Sequence, residues 1–312
     1  MTPALVVLGS LNMDFVVAVE TLPAPGETVL GRHFQMIPGG KGANQACAAG
    51  RLAIDTPVRM VGRVGQDLFA DHLKASLASA GVDVSAVAAT RAQPTGVAFI
   101  AVDHTGQNSI VVASGANHAF PAADVAGSRR SFRAAGFALF QLETPLETVA
   151  AGLKIAREES ARTMLDPAPA QPLPAALLTL VDLLTPNESE ASLLTGRPPC
   201  RVSVADAPGM ARALLGLGVK AVVLKLGEQG CFYSDGSMTL HSPGFSVSAV
   251  DATGAGDVFN AGLAVALNEG AALDTALRFA NAAAAISVTR SGAQASVPSR
   301  REVDQFLGGR TS

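Results

Sequence analysis

The chain of 312 residues has no tryptophan, one tyrosine and three cysteines. Cys47, Cys200 and Cys231 are scattered and form no C-x-x-C pair, which excludes a disulfide framework and leaves a reducing compartment, a cytoplasmic one, as the expectation. Cys47 follows a glycine-rich segment and reads as a small buried apolar residue. Charge is sparse and balanced: 23 Lys and Arg against 26 Asp and Glu give a net −3, with no basic run or stripe, which argues against a nucleic-acid partner. No apolar run reaches membrane-spanning length, and no basic n-region precedes the first apolar run, so neither a membrane nor a signal peptide is expected. His33, His72, His104, His118 and His241 have no ligand spacing. G-x-S-x-G is missing, and so is G-x-G-x-x-G after the first apolar run, which disfavours a serine hydrolase and a nicotinamide oxidoreductase.

What is present is a globular composition, 48% hydrophobic and 16% charged, long enough for one large domain or two and rich in the alanine and glycine of closely packed helices. Residues 5–8 form a continuous apolar run, the pattern of a strand buried on both faces. From residue 137 strand and helix patterns alternate: strands near 138–142, 163–165, 181–184 and 221–224, and helices near 146–159, 206–216, 256–268, 274–289 and 299–307. A further strand is expected near 58–61 and helices from Gly40 to Arg51 and near 68–80. This alternation predicts a three-layer α/β/α, Rossmann-like, mostly parallel sheet covered on both faces. Short β-type segments at 15–19, 29–36, 95–103 and 109–112 predict a small separate sheet, a lid built from two insertions at about 13–37 and 95–113 in one domain spanning 1–312. Asn12, Asp14, Glu143, Asp166, Asn187 and Gly227 all fall just past the carboxyl end of an expected strand, the edge where open α/β sheets bind ligands.

The segment Ala249-Val250-Asp251-Ala252-Thr253-Gly254-Ala255-Gly256-Asp257-Val258-Phe259-Asn260 reads as a strand end, a small-residue turn and the first turn of an apolar helix. Gly254, Ala255 and Gly256 let a ligand approach the backbone, and the opening N–H groups with the helix dipole make an anion site. Asp257 stands inside it. A carboxylate there either complements the dipole, worth about 0.3–1 kcal/mol, or takes a proton from a hydroxyl while the turn holds charge on a phosphoryl group. Gly39-Gly40-Lys41-Gly42-Ala43-Asn44 is not a Walker A loop; its glycines and Asn44 suit a polyol or a simple helix-opening turn. Asn12, Asp14 and Glu143 suit a sugar or face water. Asn187 and Glu190, three apart, form a helix cap or face a metal–water cluster. Lys225-Leu226-Gly227-Glu228-Gln229-Gly230 follows phosphates or enters a hairpin.

Together with Gly9 to Asp14, Gly39 to Gln45, Gln141-Leu142-Glu143, Asp166 to Ala170, Thr185 to Glu188, Arg278 to Arg290 and Gly292-Ala293-Gln294, these motifs resemble the ribokinase (phosphofructokinase-B-type) family of sugar kinases almost end to end. The resemblance implies D-ribose and ATP as substrates, giving ribose 5-phosphate, with Asp257 as base and Gly254, Ala255 and Gly256 as anion hole. It places ribose on Asn12, Met13, Asp14, Gly40, Lys41, Gly42, Ala43, Asn44 and Glu143. ATP falls on Asn187, Lys225, Leu226, Gly227, Glu228, Gln229, Gly230, Gly256, Asp257 and Asn281. It further implies Mg²⁺ at Glu190 through water, and an activating monovalent cation, usually K⁺, at Asp251, Thr253, Ser287, Arg290, Gly292 and Ser296, several by backbone carbonyls. A homodimer through the lid sheet is implied as well. Ala252 departs from the Thr or Ser usual in the family after the first aspartate. Deoxyribose, fructose or adenosine as acceptor, and a non-catalytic sugar-binding protein, are the alternatives.

Overall fold

Alternate residues of β1 (Ala4–Leu8) enter two different apolar clusters, Leu5 and Val7 one and Val6 and Leu8 the other. A strand so buried needs helices on both sides, and the rest of the chain supplies them. The computed structural model describes residues 2–309. After β1 come β2 (Asn12–Ala18), β3 (Arg32–Gly39), α1 (Lys41–Leu52), β4 (Val58–Gly65), α2 (Leu68–Ser79), β5 (Val82–Thr90), β6 (Gly96–Val102) and β7 (Asn108–Ala113). A 3-10 turn at Gly115–Asn117 leads to α3 (Ala122–Gly127), β8 (Ala135–Phe140), α4 (Leu146–Glu158), β9 (Arg162–Leu165), α5 (Ala175–Leu178), β10 (Leu183–Leu184), α6 (Glu188–Leu194) and α7 (Ala207–Leu215). Then follow β11 (Ala221–Lys225), β12 (Cys231–Ser234), β13 (Thr239–Ser242), α8 (Ala255–Asn268), α9 (Leu273–Ser287) and α10 (Arg300–Gly308).

The central sheet has nine strands in the order β13-β12-β11-β10-β9-β8-β1-β4-β5, parallel except for the β11-β12-β13 edge. α1, α2, α8, α9 and α10 pack on the face reached by Leu5 and Val7, and α3, α4, α6 and α7 on the other. The expected three-layer fold is therefore the observed one. The small residues make the helix layer tight: a Cβ on Gly262 in α8 would lie 3.3 Å from Ala280 Cα in α9. Among the described residues no helix is long and apolar enough to cross a membrane.

The second sheet has four strands in the order β3-β2-β6-β7, with β2 and β6 parallel and the outer pairs antiparallel. Its strands come from two chain segments, 12–39 and 96–113, and Asn12 and Asp14 are not in a loop past β1. They lie inside β2, because the chain resumes an extended path after Leu11 and pairs Asn12 with Gly96 and Asp14 with Ala98. The segment expected at 29–36 is a strand only from Arg32. β5 was not anticipated, and the strands of the β12–β13 hairpin were not located, although a hairpin entry was one reading of the loop after Lys225. β5 is alanine-rich, and β12 and β13 are four residues each around Asp235-Gly236-Ser237. Ala249 and Val250 are not a strand end: the Val250 and Asp251 N–H groups donate to Val288 O, beyond α9, at 2.7 and 3.1 Å.

Candidate active site

α8 starts at Gly254, whose φ of 75° is left-handed and where a Cβ would lie 3.1 Å from that of Ala293, so only glycine fits without strain. The Ala255 N–H is turned back onto Ala252 O at 3.2 Å. The next two amides, of Gly256 and Asp257, have no partner among the described residues and are open donors at the start of α8. The Asp257 carboxylate is buried with both oxygens engaged: Gln45 Nε2 donates to Oδ1 and Asn44 Nδ2 to Oδ2, each at 3.1 Å. Burial pushes its pKa up to about 6; Lys41 pulls it down, Asp166 raises it, and the Gln45 and Asn44 amides lower it. An aspartate held half-ready near neutral pH is suited to accept a proton.

α1 enters beside it. Its cap residue Gly40 has φ 88°, and its opening amides are satisfied from a distance. Lys41 N–H donates to Glu143 Oε2 at 3.0 Å, Gly42 N–H to Ser10 Oγ at 3.3 Å and Ala43 N–H to Ser10 O at 2.9 Å. A Cβ on Gly42 would sit 2.6 Å from Ser10 N. The glycines therefore admit the chain's own β1–β2 connection, and the side chains of Lys41 and Asn44 are what this segment offers a ligand. Burial disfavours the Lys41 charge, but Asp257, Asp166, Glu143 and Glu190 outweigh it and hold its pKa above the usual lysine value.

On the other side β2 brings Asn12 and Asp14 to the same edge. Asn12 Oδ1 accepts from Asn117 Nδ2 at 2.7 Å, which turns the Asn12 NH₂ away as a free donor. Asn117 also exchanges two bonds with the Leu11 backbone. Asp14 Oδ1 is buried with no partner among the described residues, and burial, then the nearby Glu143, push the Asp14 pKa up to about 7. Met13 alternates away, its side chain in the core. Asn12, Asn117, Glu143 and Gln171 help line a cavity of about 550 Å³.

Lys41, Asp166, Asn187, Glu190, Lys225, Gly256 and Asp257 line a second cavity, of about 450 Å³. Lys225 and Gly256 also border a third, of about 590 Å³, walled by Phe245, Phe259 and Asn281. The cap reading of Asn187 and Glu190 holds. They make a reciprocal helix cap (Asn187 N–H to Glu190 Oε2, 2.7 Å; Glu190 N–H to Asn187 Oδ1, 2.9 Å), and they face the second cavity. Burial pushes the Glu190 pKa up. Lys225 Nζ is paired with Asp166 Oδ1 at 2.8 Å. Past Lys225 the chain makes a 3-10 turn at Gly227–Gln229 and then enters the β12–β13 hairpin, the second of the two expectations for that loop. Asn281 Nδ2 donates to Ser242 O at 3.0 Å, fixing the third cavity's wall.

Behind α8, Asp251 ties two loops together by accepting from Thr253 N–H and Gly292 N–H, each at 2.8 Å. Ser287 and Ser296 donate their hydroxyls to Ala284 O and Ala293 O, and the Arg290 guanidinium is paired with Glu302. No cluster of three or more His, Cys, Asp or Glu side chains suited to a metal occurs among the described residues.

Sequence reasoning left out Ser10, Gln45, Asn117, Asp166 and Gln294 as site residues. Asp166 had a signal, its place past β9; Gln45 and Gln294 stood at the edges of motifs already singled out. Asn117 had none: it lies 106 residues from Leu11.

A cavity lined by Asn12, Asn117 and Glu143, a buried aspartate with a raised pKa at an open helix N-terminus, and an adjoining cleft with an apolar wall are the parts of a phosphotransferase acting on a small hydroxylated substrate. The comparisons agree. The model of the pfkB family carbohydrate kinases matches residues 2–300. A ribokinase of Haemophilus influenzae is 42% identical over 98% of this chain and 99% of its own, and a deoxyribokinase of Salmonella typhi is 33% identical over 96% and 97%. The structure of Arabidopsis thaliana ribokinase with ribose and ATP superposes with a TM-score of 0.92 at 36% identity, covering 100% of both chains. The chain belongs to the pfkB family of carbohydrate kinases, and it is an ATP-using sugar kinase.

Proposed function

We propose that the protein transfers the γ-phosphoryl group of ATP to O5 of D-ribose, with Asp257 as the base. The observation that carries this is the Asp257 carboxylate, fixed by Asn44 and Gln45 with its pKa near 6 beside the open amides of α8. The sugar occupies the side bounded by Asn12, Asp14, Lys41, Asn44 and Glu143. Its hydroxyls donate to the unpartnered Asp14 oxygen and accept from the Asn12 NH₂. ATP lies along the second and third cavities, its phosphates towards Gly256 and Lys225 and its base against Phe245, Phe259 and Asn281.

The transferred group passes through a loose transition state, so the chain's work is alignment and charge stabilisation. Positioning of hydroxyl, base and phosphorus supplies about 7–11 kcal/mol when the geometry is met. Asp257 need take the proton only as the new P–O bond forms. The α8 amides and Lys41 offset charge on the phosphoryl oxygens. Glu190 suits a magnesium ion held through water: both its oxygens already accept from Asn187, and it lines the second cavity. When bound, such an ion neutralises the phosphates. The two loops tied by Asp251 suit an activating monovalent cation on carbonyl and hydroxyl oxygens, where it would order the turn before α8 without touching substrate. The four-stranded sheet acts as a lid that excludes water. Its face opposite Asn12 and Asp14, with Phe34, Met36, Phe99 and Val111 exposed, serves as the surface for a second copy.

The test is ADP release from MgATP with D-ribose, 2-deoxyribose, fructose and adenosine, each in K⁺ and in Na⁺ only. Ribose-selective, K⁺-stimulated release is expected. Turnover on another acceptor would reassign the Asn12–Asp14–Glu143 pocket, and no turnover on any would reject the catalytic reading.

A further inference from the structure

Gln45 lines none of the three cavities, yet its side-chain amide makes three hydrogen bonds beside Asp257. Only 1% exposed, it donates from one NH₂ to two carboxylates, Asp257 Oδ1 and Asp166 Oδ2, each at 3.1 Å. Its carbonyl accepts from Gln141 Nε2 at 2.6 Å, so the amide cannot turn over without losing all three bonds. Gln141 is itself seated by the absence of a side chain on Gly9, where a Cβ would lie 2.1 Å from its Oε1. We propose that Gln45, oriented by Gln141, is the positioning residue of the base: it clamps Asp257 and Asp166 together and aims the Asp257 carboxylate at the acceptor hydroxyl. This rests on Asp257 being the base.

The physical need is plain. Two carboxylates side by side repel, and a buried pair of anions is held only by donors shared between them. The charged groups facing Asp257 are Lys41 from α1 and Asp166 from the end of β9; Lys225, paired with Asp166, and Glu190 line the same cavity. Asn44 binds the other Asp257 oxygen, and among the described residues Gln45 is the donor shared between Asp257 and Asp166. Its amide N–H groups do not ionise near neutral pH, which keeps it out of the proton transfer and confines it to geometry and charge.

The experiment compares Gln45→Met, Gln45→Glu, Gln141→Met and Asp257→Asn, each checked for folding by its thermal midpoint, with kcat and sugar KM measured from pH 5 to 9. Gln45→Met is expected to lower kcat about 10- to 100-fold, with sugar KM within about threefold, and to move the acid limb of kcat up by about one pH unit, because a donor to the ionised base is gone. Gln45→Glu should move the limb further, and Gln141→Met less, in the same direction. An acid limb unmoved in folded Gln45→Met overturns the proposal, whether or not kcat falls. So does a variant whose loss is all in KM. Should Gln45→Met not fold, Gln141→Met decides by the same limb. Turnover retained by Asp257→Asn would instead remove the base, a distinguishable failure.

Discussion

The two sheets are made of similar residues and differ in what covers them. In the nine-stranded sheet, Leu5 to Leu8 are wholly buried between helix layers. In the four-stranded sheet, Phe15 stacks on Phe99 and meets Phe69 of α2 on one face, while Phe99 stays 55%, Ile110 53% and Val111 65% exposed. The first is a fixed frame whose strand ends hold Asp166, Lys225 and Glu143. The second is a plate lightly attached to it, and its first strand carries Asn12 and Asp14. On the proposed reading the reacting groups stand on the frame, while the sugar-recognising groups are divided between Lys41, Asn44 and Glu143 on the frame and Asn12 and Asp14 on the plate. This division lets a kinase open to admit a sugar without disturbing the base.

If the division is right, variants on the two sides fail in different ways. The largest effect is expected for Asp257→Asn: kcat falls about 10²- to 10⁴-fold while calorimetric sugar affinity holds. Its denaturation midpoint should not drop, since the change removes a desolvated charge beside Asp166. Asp14→Ala, on the plate, should raise sugar KM about ten- to hundredfold with a smaller loss in kcat. A kcat loss equal to that of Asp257→Asn would break the comparison.

The pH dependence sharpens it. Both carboxylates have raised pKa values, Asp257 about 6 and Asp14 about 7, and both act as acceptors in their ionised forms. As pH falls, sugar affinity should weaken first, through pH 7, and kcat next, through pH 6. Affinity by calorimetry and kcat at saturating sugar separate the two, and a single shared limb would count against independent sheets. The smallest effect is expected for Phe99→Asp: a sedimentation shift to monomer, with thermal stability of the frame changed little. A dimer unaffected by that charge would move the interface elsewhere.

The frame was legible because burial on both faces leaves continuous apolar runs, and one such run, residues 5–8, is β1 almost residue for residue. Asp257 was legible because a small-residue turn before an apolar helix has a local physical meaning. Gln45 was not, because a glutamine in an alanine-rich helix gives no sign of which way it points; its role depends on Gln141 and Asp166, 96 and 121 residues away. Asn12 and Asp14 were placed at the right edge but in the wrong element, since a strand of the small sheet and a loop past β1 look alike over so few residues. Short β12 and β13 carry too few apolar positions for alternation to show.

Asn117 closes the connection after β7 onto Leu11 and Asn12 at once. The pose of the plate and the shape of the sugar pocket are therefore a single variable. Thermodynamic reciprocity then applies: whatever factor a second copy on the outer face contributes to sugar affinity, sugar must return to the association of the copies. An association constant measured with and without sugar reports, from the far side of the sheet, on the pocket itself.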